Sequence, residues 1–275
     1  MMKKKVIALF LVLATLLTFT ACGTGDGAEK AKWSIYWYLC GSDLETNHGC
    51  APIDQKEMLE VQLPEGVNVV IQTGGSQTWQ MEGVDPTKTQ RWLYNSEGLK
   101  LLEESERANM GEAQTLYEFL NFANTNYPAE KVAVTFWNHG GGSVGGAAFD
   151  ELFENDSLNL MEMYQAFNEV WPANTGKPAL ELVGFDTCLM ATIDVAATFQ
   201  GFSKYFVGSQ ELEPGNGWLY SGWLGELAKD PAMDGKKLGT AICDSYFSGC
   251  EAVGTQDQAT LSLTALTKLK SLLDA

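Results

Sequence analysis

The chain has 275 residues, 45% of them apolar, and its 35 acidic residues against 18 Lys and Arg give a formal net charge of −17. This length and composition suffice for one large domain with an apolar core. No basic run follows the first few residues, so we expect no nucleic-acid partner, whereas an acidic surface attracts basic peptides.

The N-terminal region has the pattern of an export signal followed by a tether. Lysines at 3–5 precede the apolar stretch Val6–Phe19, which is shorter than the ~20 residues of a membrane-spanning helix. The sequence FTAC, ending at Cys22, resembles a bacterial lipobox. We predict a signal peptide over 1–21, lipid attachment at Cys22 and a flexible tether over 22–32, which would hold the protein at the outer face of a bacterial membrane. An ordinary secretory signal cut nearby is the alternative.

From residue 33 onward, segments typical of strands and helices alternate. The strand candidates 33–39 (WSIYWYL) and 131–137 (KVAVTFW) are aromatic and β-branched, whereas 112–123 carries apolar residues at helical spacing. In chain order, strands are predicted at 33–39, 67–72, 90–94, 99–102, 131–137, 179–185, 205–208 and 260–266, and helices at 54–61, 112–123, 158–170, 193–199, 219–228 and 238–247. This order predicts an α/β domain over 33–275, with a mostly parallel central sheet and helices on both faces.

Five cysteines follow the leader, at positions 40, 50, 188, 243 and 250. An odd count leaves at least one thiol unpaired if the others pair within the chain. Their spacing fits neither a disulfide framework nor a zinc site, because no CxxC pair occurs and the chain has two histidines. One cysteine therefore calls for a chemical explanation.

Two polar segments directly follow predicted strands. The first, NHGGG, contains His139 and Gly140, and the second, DTC, contains Asp186 and Cys188. The working residues of an open parallel sheet gather at the carboxyl ends of its strands, so a thiol and an imidazole should face one cleft. There Cys188 could attack a carbonyl and His139 could protonate the leaving amine, while the backbone amides of Gly140 and Cys188 stabilise the oxyanion. Each residue alone is more often a core residue, but together at two strand ends they favour a catalytic site.

Four segments in order resemble the clostripain family of cysteine peptidases: YLCGSDLE from Tyr38, WNHGGG from Trp137, GFDTCLMA from Gly184, and GSQE through EPGNGW from Gly208 to Trp218. The resemblance implies a caspase-like fold, a Cys188–His139 dyad without an obligatory third residue, and cleavage after Arg or Lys. It also implies that Asp186 is the acid at the base of the pocket for the basic side chain. Glu211 and Glu213 are further candidates for the mouth of that pocket.

The resemblance also bears on cofactors, processing and length. No cofactor or metal is required by this chemistry, although some relatives respond to calcium and the many acids here permit such sites. Members are often cut at a basic residue between His and Cys, but residues 140–176 contain no Lys or Arg, so self-processing there is not expected. We expect a monomer, and we expect part of the fold to lie beyond residue 275.

Two other functions fit parts of the sequence. The segment Gly141–Gly145 matches the GxSxG motif of serine hydrolases, but such an enzyme needs a histidine after Ser143, and none follows His139. A surface lipoprotein with a decayed peptidase fold, which binds peptides or partners without cleaving them, is the second alternative. Nucleotide binding by the glycine-rich loop is excluded because the loop lacks the lysine of a phosphate-binding motif.

Overall fold

The computed structural model describes residues 30–274. The predicted signal peptide, the predicted lipid site at Cys22 and the tether up to residue 29 lie outside these residues. The tether prediction is wrong for residues 31 and 32, because the first strand begins at Ala31 and the backbone N–H of Lys32 donates to the Gly66 carbonyl at 2.7 Å. Of the helices between residues 30 and 274, none has the length and apolar character that a membrane span requires.

Strands and helices alternate along the described chain, as predicted. The strands are β1 Ala31–Cys40, β2 Val67–Gly74, β3 Lys88–Asn95, β4 Gly98–Glu106, β5 Ala129–Trp137, β6 Ala147–Asp150, β7 Asp156–Leu158, β8 Leu180–Asp186, β9 Ser203–Gly208 and β10 Ser262–Ala265. The helices are α1 Ser42–Thr46, α2 Ala51–Leu59, α3 Ala113–Asn126, α4 Gly142–Gly145, α5 Leu160–Val170, α6 Ile193–Phe199, α7 Tyr220–Lys229, α8 Gly235–Val253 and α9 Leu269–Leu273. The short elements α1, α4, β6 and β7 were not predicted.

Within residues 30–274, eight strands form the central sheet, in the order β10-β9-β8-β5-β1-β2-β3-β4. The strands from β9 to β2 run parallel, while β10 at one edge and β3 and β4 at the other are antiparallel. Parallel neighbours need a crossover, which α5 provides between β5 and β8. The predicted mostly parallel sheet is confirmed.

Helices cover both faces of the sheet because successive side chains of a strand point to opposite faces. In β1, Tyr36 and Tyr38 pack in the apolar layer that contains residues of α3, α5 and α6. Ile35 and Trp37 pack in the opposite layer, with residues of α2, α7 and α8. The three-layer α/β fold expected from the sequence is therefore present.

β1, β5 and β8 lie side by side at the centre of the sheet and end at the same edge. Leu39 of β1 pairs with Trp137 of β5, which pairs in turn with Asp186 of β8. One step behind that edge, the buried rings of Phe136 and Phe185 stack with centroids 4.7 Å apart. Residues that directly follow these three strands are thus delivered to one place on a rigid support.

Candidate active site

His139 and Cys188 lie at equivalent positions of neighbouring strands. Each is two residues beyond the paired residues Trp137 and Asp186, so the sheet register itself brings their loops together. The two loops touch directly, since a Cβ built on Gly140 would lie 2.0 Å from the carbonyl oxygen of Cys188. A side chain at residue 140 would force the loops apart, which explains the glycine there.

The loop that carries His139 is anchored by the residue before it. The buried side-chain amide of Asn138 donates to the carbonyl of Cys40, at the end of β1, at 2.7 Å. Its oxygen accepts the backbone N–H of Phe149, in β6, at 2.7 Å. The His139 ring meets Phe149 edge-on, with centroids 6.5 Å apart. The glycine-rich segment is therefore an ordered turn that includes α4, rather than the plain loop that its composition predicted.

Cys188 lies in the turn between β8 and α6, and its sulfur accepts the backbone N–H of Glu213 at 3.3 Å. The next residue, Leu189, has a φ of +65°, and its N–H donates to the carbonyl of Glu211 at 3.1 Å. These contacts tie the Cys188 turn to segment 209–213, which follows β9. The nucleophile candidate is thus held from two directions.

His139 has a charged partner that the sequence did not predict. Its Nε2 atom lies 2.7 Å from Oδ1 of Asp43, in α1. The signal was present in the segment YLCGSDLE, where an acid follows the end of β1 at the same sheet edge as NHGGG. The pairing could not be inferred without knowing that β1 and β5 are neighbours.

Asp186 is buried beside Cys188, on the face of the sheet that α7 covers. One carboxylate oxygen accepts the backbone N–H of Trp218 at 3.1 Å, and the other accepts the hydroxyl of Tyr220 at 2.9 Å. Burial raises the pKa of Asp186 to about 7, although these hydrogen bonds favour its ionised form. Near neutral pH this carboxyl group is therefore poised between its two protonation states.

Glu213, one of the two further acids predicted for the pocket, lies close to Asp186. Burial, followed by repulsion from Asp186, raises the pKa of Glu213 well above its ordinary value. Its Oε1 atom is buried and has no hydrogen-bond partner among the described residues. A cationic group placed between these carboxyls would satisfy both.

Helix α2 adds two acids, one turn apart, that sequence reasoning missed. Oδ2 of Asp54 accepts the indole N–H of Trp137 at 2.6 Å, and Oε2 of Glu57 accepts the N–H of Tyr220 at 2.8 Å. Burial, and then repulsion from Asp186, raises the pKa of Asp54 well above its ordinary value, and burial likewise raises the pKa of Glu57. An acid spacing of three residues on a predicted helix was the available signal, but it is also common on solvated faces.

One cavity of about 420 Å³ unites these groups. Its lining includes both predicted catalytic residues and four acids, and, within the described part of the chain, neither Lys nor Arg. The lining residues that carry this chemistry are Asp54, Glu57, His139, Asp186, Cys188 and Glu213. A larger cavity of about 850 Å³ lies between α7 and α8, but it contains neither a thiol nor an imidazole. We therefore assign the chemistry to the smaller one.

Glu211 does not line this cavity, contrary to the prediction that it shares the mouth with Glu213. Its side chain is exposed, and its backbone serves the fold, since its N–H donates to the Thr260 hydroxyl at 3.1 Å. β9 ends at Gly208, so residues 211 and 213 lie in irregular chain. The two-residue spacing that puts strand side chains on one face does not apply there.

The five cysteines of the described residues form no disulfide. Cys40, Cys50, Cys188, Cys243 and Cys250 are all free thiols in the described structure. Cys50 lines the same cavity as Cys188, while Cys40 and Cys250 are buried. Between residues 30 and 274, no group of three or more His, Cys, Asp or Glu side chains is arranged to hold a metal ion.

Neighbouring parallel strands that deliver a thiol and an imidazole to one acid-lined cavity define a cysteine-peptidase type of site on an α/β fold. The chain belongs to the clostripain family, whose model matches residues 37–275. Clostripain of Hathewaya histolytica is 32% identical over 124 residues, which is 41% of this chain and 24% of that protein. The chain therefore matches about a quarter of the length of that relative.

Solved structures share the fold at low sequence identity. Iotapain, a secreted C11 cysteine protease from Bacteroides thetaiotaomicron, gives a TM-score of 0.70 at 17% identity, over 90% of this chain and 69% of that chain. An inactive zymogen C11 protease from Parabacteroides distasonis gives 0.66 at 19% identity, over 90% of this chain and 65% of that chain. The expected caspase-like α/β fold is confirmed.

Proposed function

We propose that this chain is a cysteine endopeptidase that cleaves peptide bonds after Arg or Lys. The observation that carries the proposal is one cavity whose lining includes the thiol of Cys188, the imidazole of His139 and four acids, of which Asp54 and Asp186 are buried. A thiol and an imidazole are sufficient for acyl transfer, and buried acids without a basic neighbour in the cavity suit a cationic side chain.

The proposed reaction uses the two side chains that these loops carry. The thiolate of Cys188 attacks the peptide carbonyl, and protonated His139 gives its proton to the leaving amine. Water, deprotonated by the neutral imidazole, then hydrolyses the thioester, which regenerates the thiol. Because Gly140 packs directly against the backbone of Cys188, we assign the oxyanion to the backbone amides of these two residues.

Asp186 and Glu213 form the base of the pocket for the basic side chain. A guanidinium or ammonium group would meet the unpartnered oxygen of Glu213 and the carboxylate of Asp186. Asp54 and Glu57 add two carboxyl groups on the α2 side of the cavity, and a bound cation would favour their ionised forms. The basic side chain of the substrate then exchanges its hydration for charged hydrogen bonds, which favours Arg and Lys over neutral residues of similar length.

The test uses fluorogenic peptides that end in Arg, Lys, citrulline or norleucine before the cleaved bond. Cys188→Ala should reduce turnover of the basic peptides to background, and Cys243→Ala, which removes a thiol of α8 outside the cavity, should leave it unchanged. Iodoacetamide should inactivate the wild-type chain, whereas a fluorophosphonate should not. Equal turnover by wild type and Cys188→Ala, including none, would leave a peptide-binding protein with a decayed site.

Location, cofactor and assembly need separate tests. We propose export with lipid attachment at Cys22, supported by the leader sequence. Cys22→Ser should move the protein from the membrane fraction to the culture medium, and an unchanged distribution would indicate ordinary secretion.

We also propose that the enzyme works as a monomer without a cofactor. Turnover in EDTA and in added calcium, together with sizing by light scattering, tests both points.

A further inference from the structure

Helix α1 presents to His139 an acid that the two-residue mechanism does not use. Oδ1 of Asp43 lies 2.7 Å from Nε2 of His139, and the hydroxyl of Ser42 donates to the same oxygen at 3.3 Å. The side chains of His139 and Asp43 are 42% and 46% exposed. Both groups are thus partly accessible to solvent, and they meet in a direct hydrogen bond.

The backbone that carries Asp43 is rigid. The N–H of Ser42 donates to the Gly75 carbonyl at 3.0 Å, and the buried carboxylate of Glu45 accepts the N–H groups of Ala51 and Met81 at 3.1 and 3.0 Å. Ser42 itself has a φ of +51°, a left-handed conformation that a residue with a side chain adopts only when its surroundings impose it. Asp43 is thus held at the edge of the sheet where His139 lies.

The contact determines which ring nitrogen of His139 can act as a base. Partial burial opposes ionisation, but the hydrogen bond with His139 lowers the pKa of Asp43, and an ionised carboxylate only accepts hydrogen bonds. Nε2 must then carry a hydrogen. In the neutral ring the acceptor is then Nδ1, and the proposed reaction requires this nitrogen to exchange a proton with Cys188.

We propose that Asp43 is a positioning residue for His139, which holds the Nε2–H and thereby selects the tautomer and ring orientation that present Nδ1 to Cys188. This inference rests on the proposed peptidase function. It adds a third member to the pair that the family resemblance implied. When the thiol gives its proton to the ring, the same carboxylate stabilises the imidazolium that forms.

The tautomer can be measured without any turnover. The chain has two histidines, His48 and His139, so nitrogen NMR of ¹⁵N-histidine-labelled protein resolves both rings, and His48→Gln assigns them. In the Cys188→Ala background above neutral pH, His139 should be protonated at Nε2. Replacing Asp43 by Leu in that background should produce a mixture of tautomers. A ring protonated at Nδ1, or a tautomer that Asp43→Leu leaves unchanged, would overturn the proposal.

Kinetics test the consequence for catalysis. Asp43→Leu, which is close to Asp in size, should lower kcat on an Arg peptide by about 10- to 100-fold while KM stays within about threefold. Asp43→Asn, which keeps one acceptor oxygen, should recover part of the loss. Asp194→Asn, at an exposed acid of α6, is the matched control and should equal wild type. If Asp43→Leu melts at the wild-type temperature and retains kcat within about twofold, Asp43 has no positioning role.

The two measurements separate this proposal from the proposed function. A wild-type chain that cleaves no basic peptide, but whose His139 tautomer responds to Asp43→Leu, would refute the peptidase function and retain the pairing. If Asp43→Leu does not fold, Asp43→Ala, which removes the acceptor and adds no apolar bulk, gives the result. A kcat equal to wild type in Asp43→Ala, together with an unchanged ring spectrum, would then contradict the proposal.

Discussion

Asp186→Asn should stabilise the fold above neutral pH while it abolishes selective cleavage after basic residues. Burial raises the pKa of Asp186 from 3.8 to about 7. An unfolded chain ionises this carboxyl group near its ordinary pKa, whereas the folded chain retains the proton until about pH 7. The free energy of unfolding therefore falls as the pH rises from about 4 to about 7, and the penalty stays constant above that.

The size of the effect follows from the shift. A difference of about 3 pKa units corresponds to about 4 kcal/mol at 1.36 kcal/mol per unit. Asparagine cannot ionise and so removes this penalty, but it weakens the hydrogen bonds with Tyr220 and Trp218 by about 1 kcal/mol. Because Asp186 titrates together with Glu213, we expect a net gain on the order of 2 kcal/mol at pH 8. At pH 4 the variant should be about 1 kcal/mol less stable than its parent.

The assay is urea unfolding between pH 4 and pH 8 in the Cys188→Ala background, which prevents self-cleavage. Asp194→Asn, which removes an exposed acid of α6, serves as the control. In the active enzyme, Asp186→Asn should lower kcat/KM for an Arg peptide by about 100-fold or more and change that for citrulline far less. A stability difference between Asp186→Asn and its parent that is independent of pH would refute the electrostatic argument.

Three further predictions concern the pocket, the loops and the core. The kcat/KM for an Arg peptide, divided by that for the citrulline peptide, should rise with pH by up to about tenfold per unit and level off near pH 7, because Asp186 ionises over this range. A ratio that is flat between pH 5 and pH 7 contradicts this. Gly140→Ala should lower kcat by about 100-fold, because the new Cβ would lie 2.0 Å from the Cys188 carbonyl, whereas Gly225→Ala, which meets open space, should retain wild-type kcat. Phe185→Ala should lower the free energy of unfolding by about 3–5 kcal/mol in urea, because it removes a buried stacked ring, and Phe185→Leu should recover more than half of that loss.

Most strands and helices could be predicted from the sequence because their signals are local. The buried strands β1 and β5 are continuous apolar runs, and α3 repeats its apolar residues at helical spacing. The elements α1, α4, β6 and β7 have three to five residues each, too few to show a period. Their positions depend on contacts between distant segments, such as those that Asn138 makes with Cys40 and Phe149.

The residues of the candidate site likewise divide into those with a local sequence signal and those whose position depends on distant contacts. The convergence of Cys188, His139 and Asp186 on one cavity could be predicted because each lies at or just after the end of a strand that the sequence marks clearly, and parallel strands end at one edge. The contact between Asp43 and His139 depends on the order of strands in the sheet, which no local pattern encodes. Glu211 does not line the cavity with Glu213, because the chain has already left β9 and no strand period relates these two residues.

The strand period also explains why the cavity opens on one particular face of the sheet. Trp137 and Asp186 are paired in register, and Trp137 packs in the apolar layer that α2, α7 and α8 cover. Acids on that side, Asp54 from α2 and Asp186 from β8, therefore converge beneath the strand ends rather than on the α3 and α5 side. Because Asp186 and Cys188 belong to one strand and its turn, their separation is set by two backbone residues. A basic side chain bound to Asp186 would consequently bring its own peptide bond to the thiol, which couples recognition of charge to position of attack.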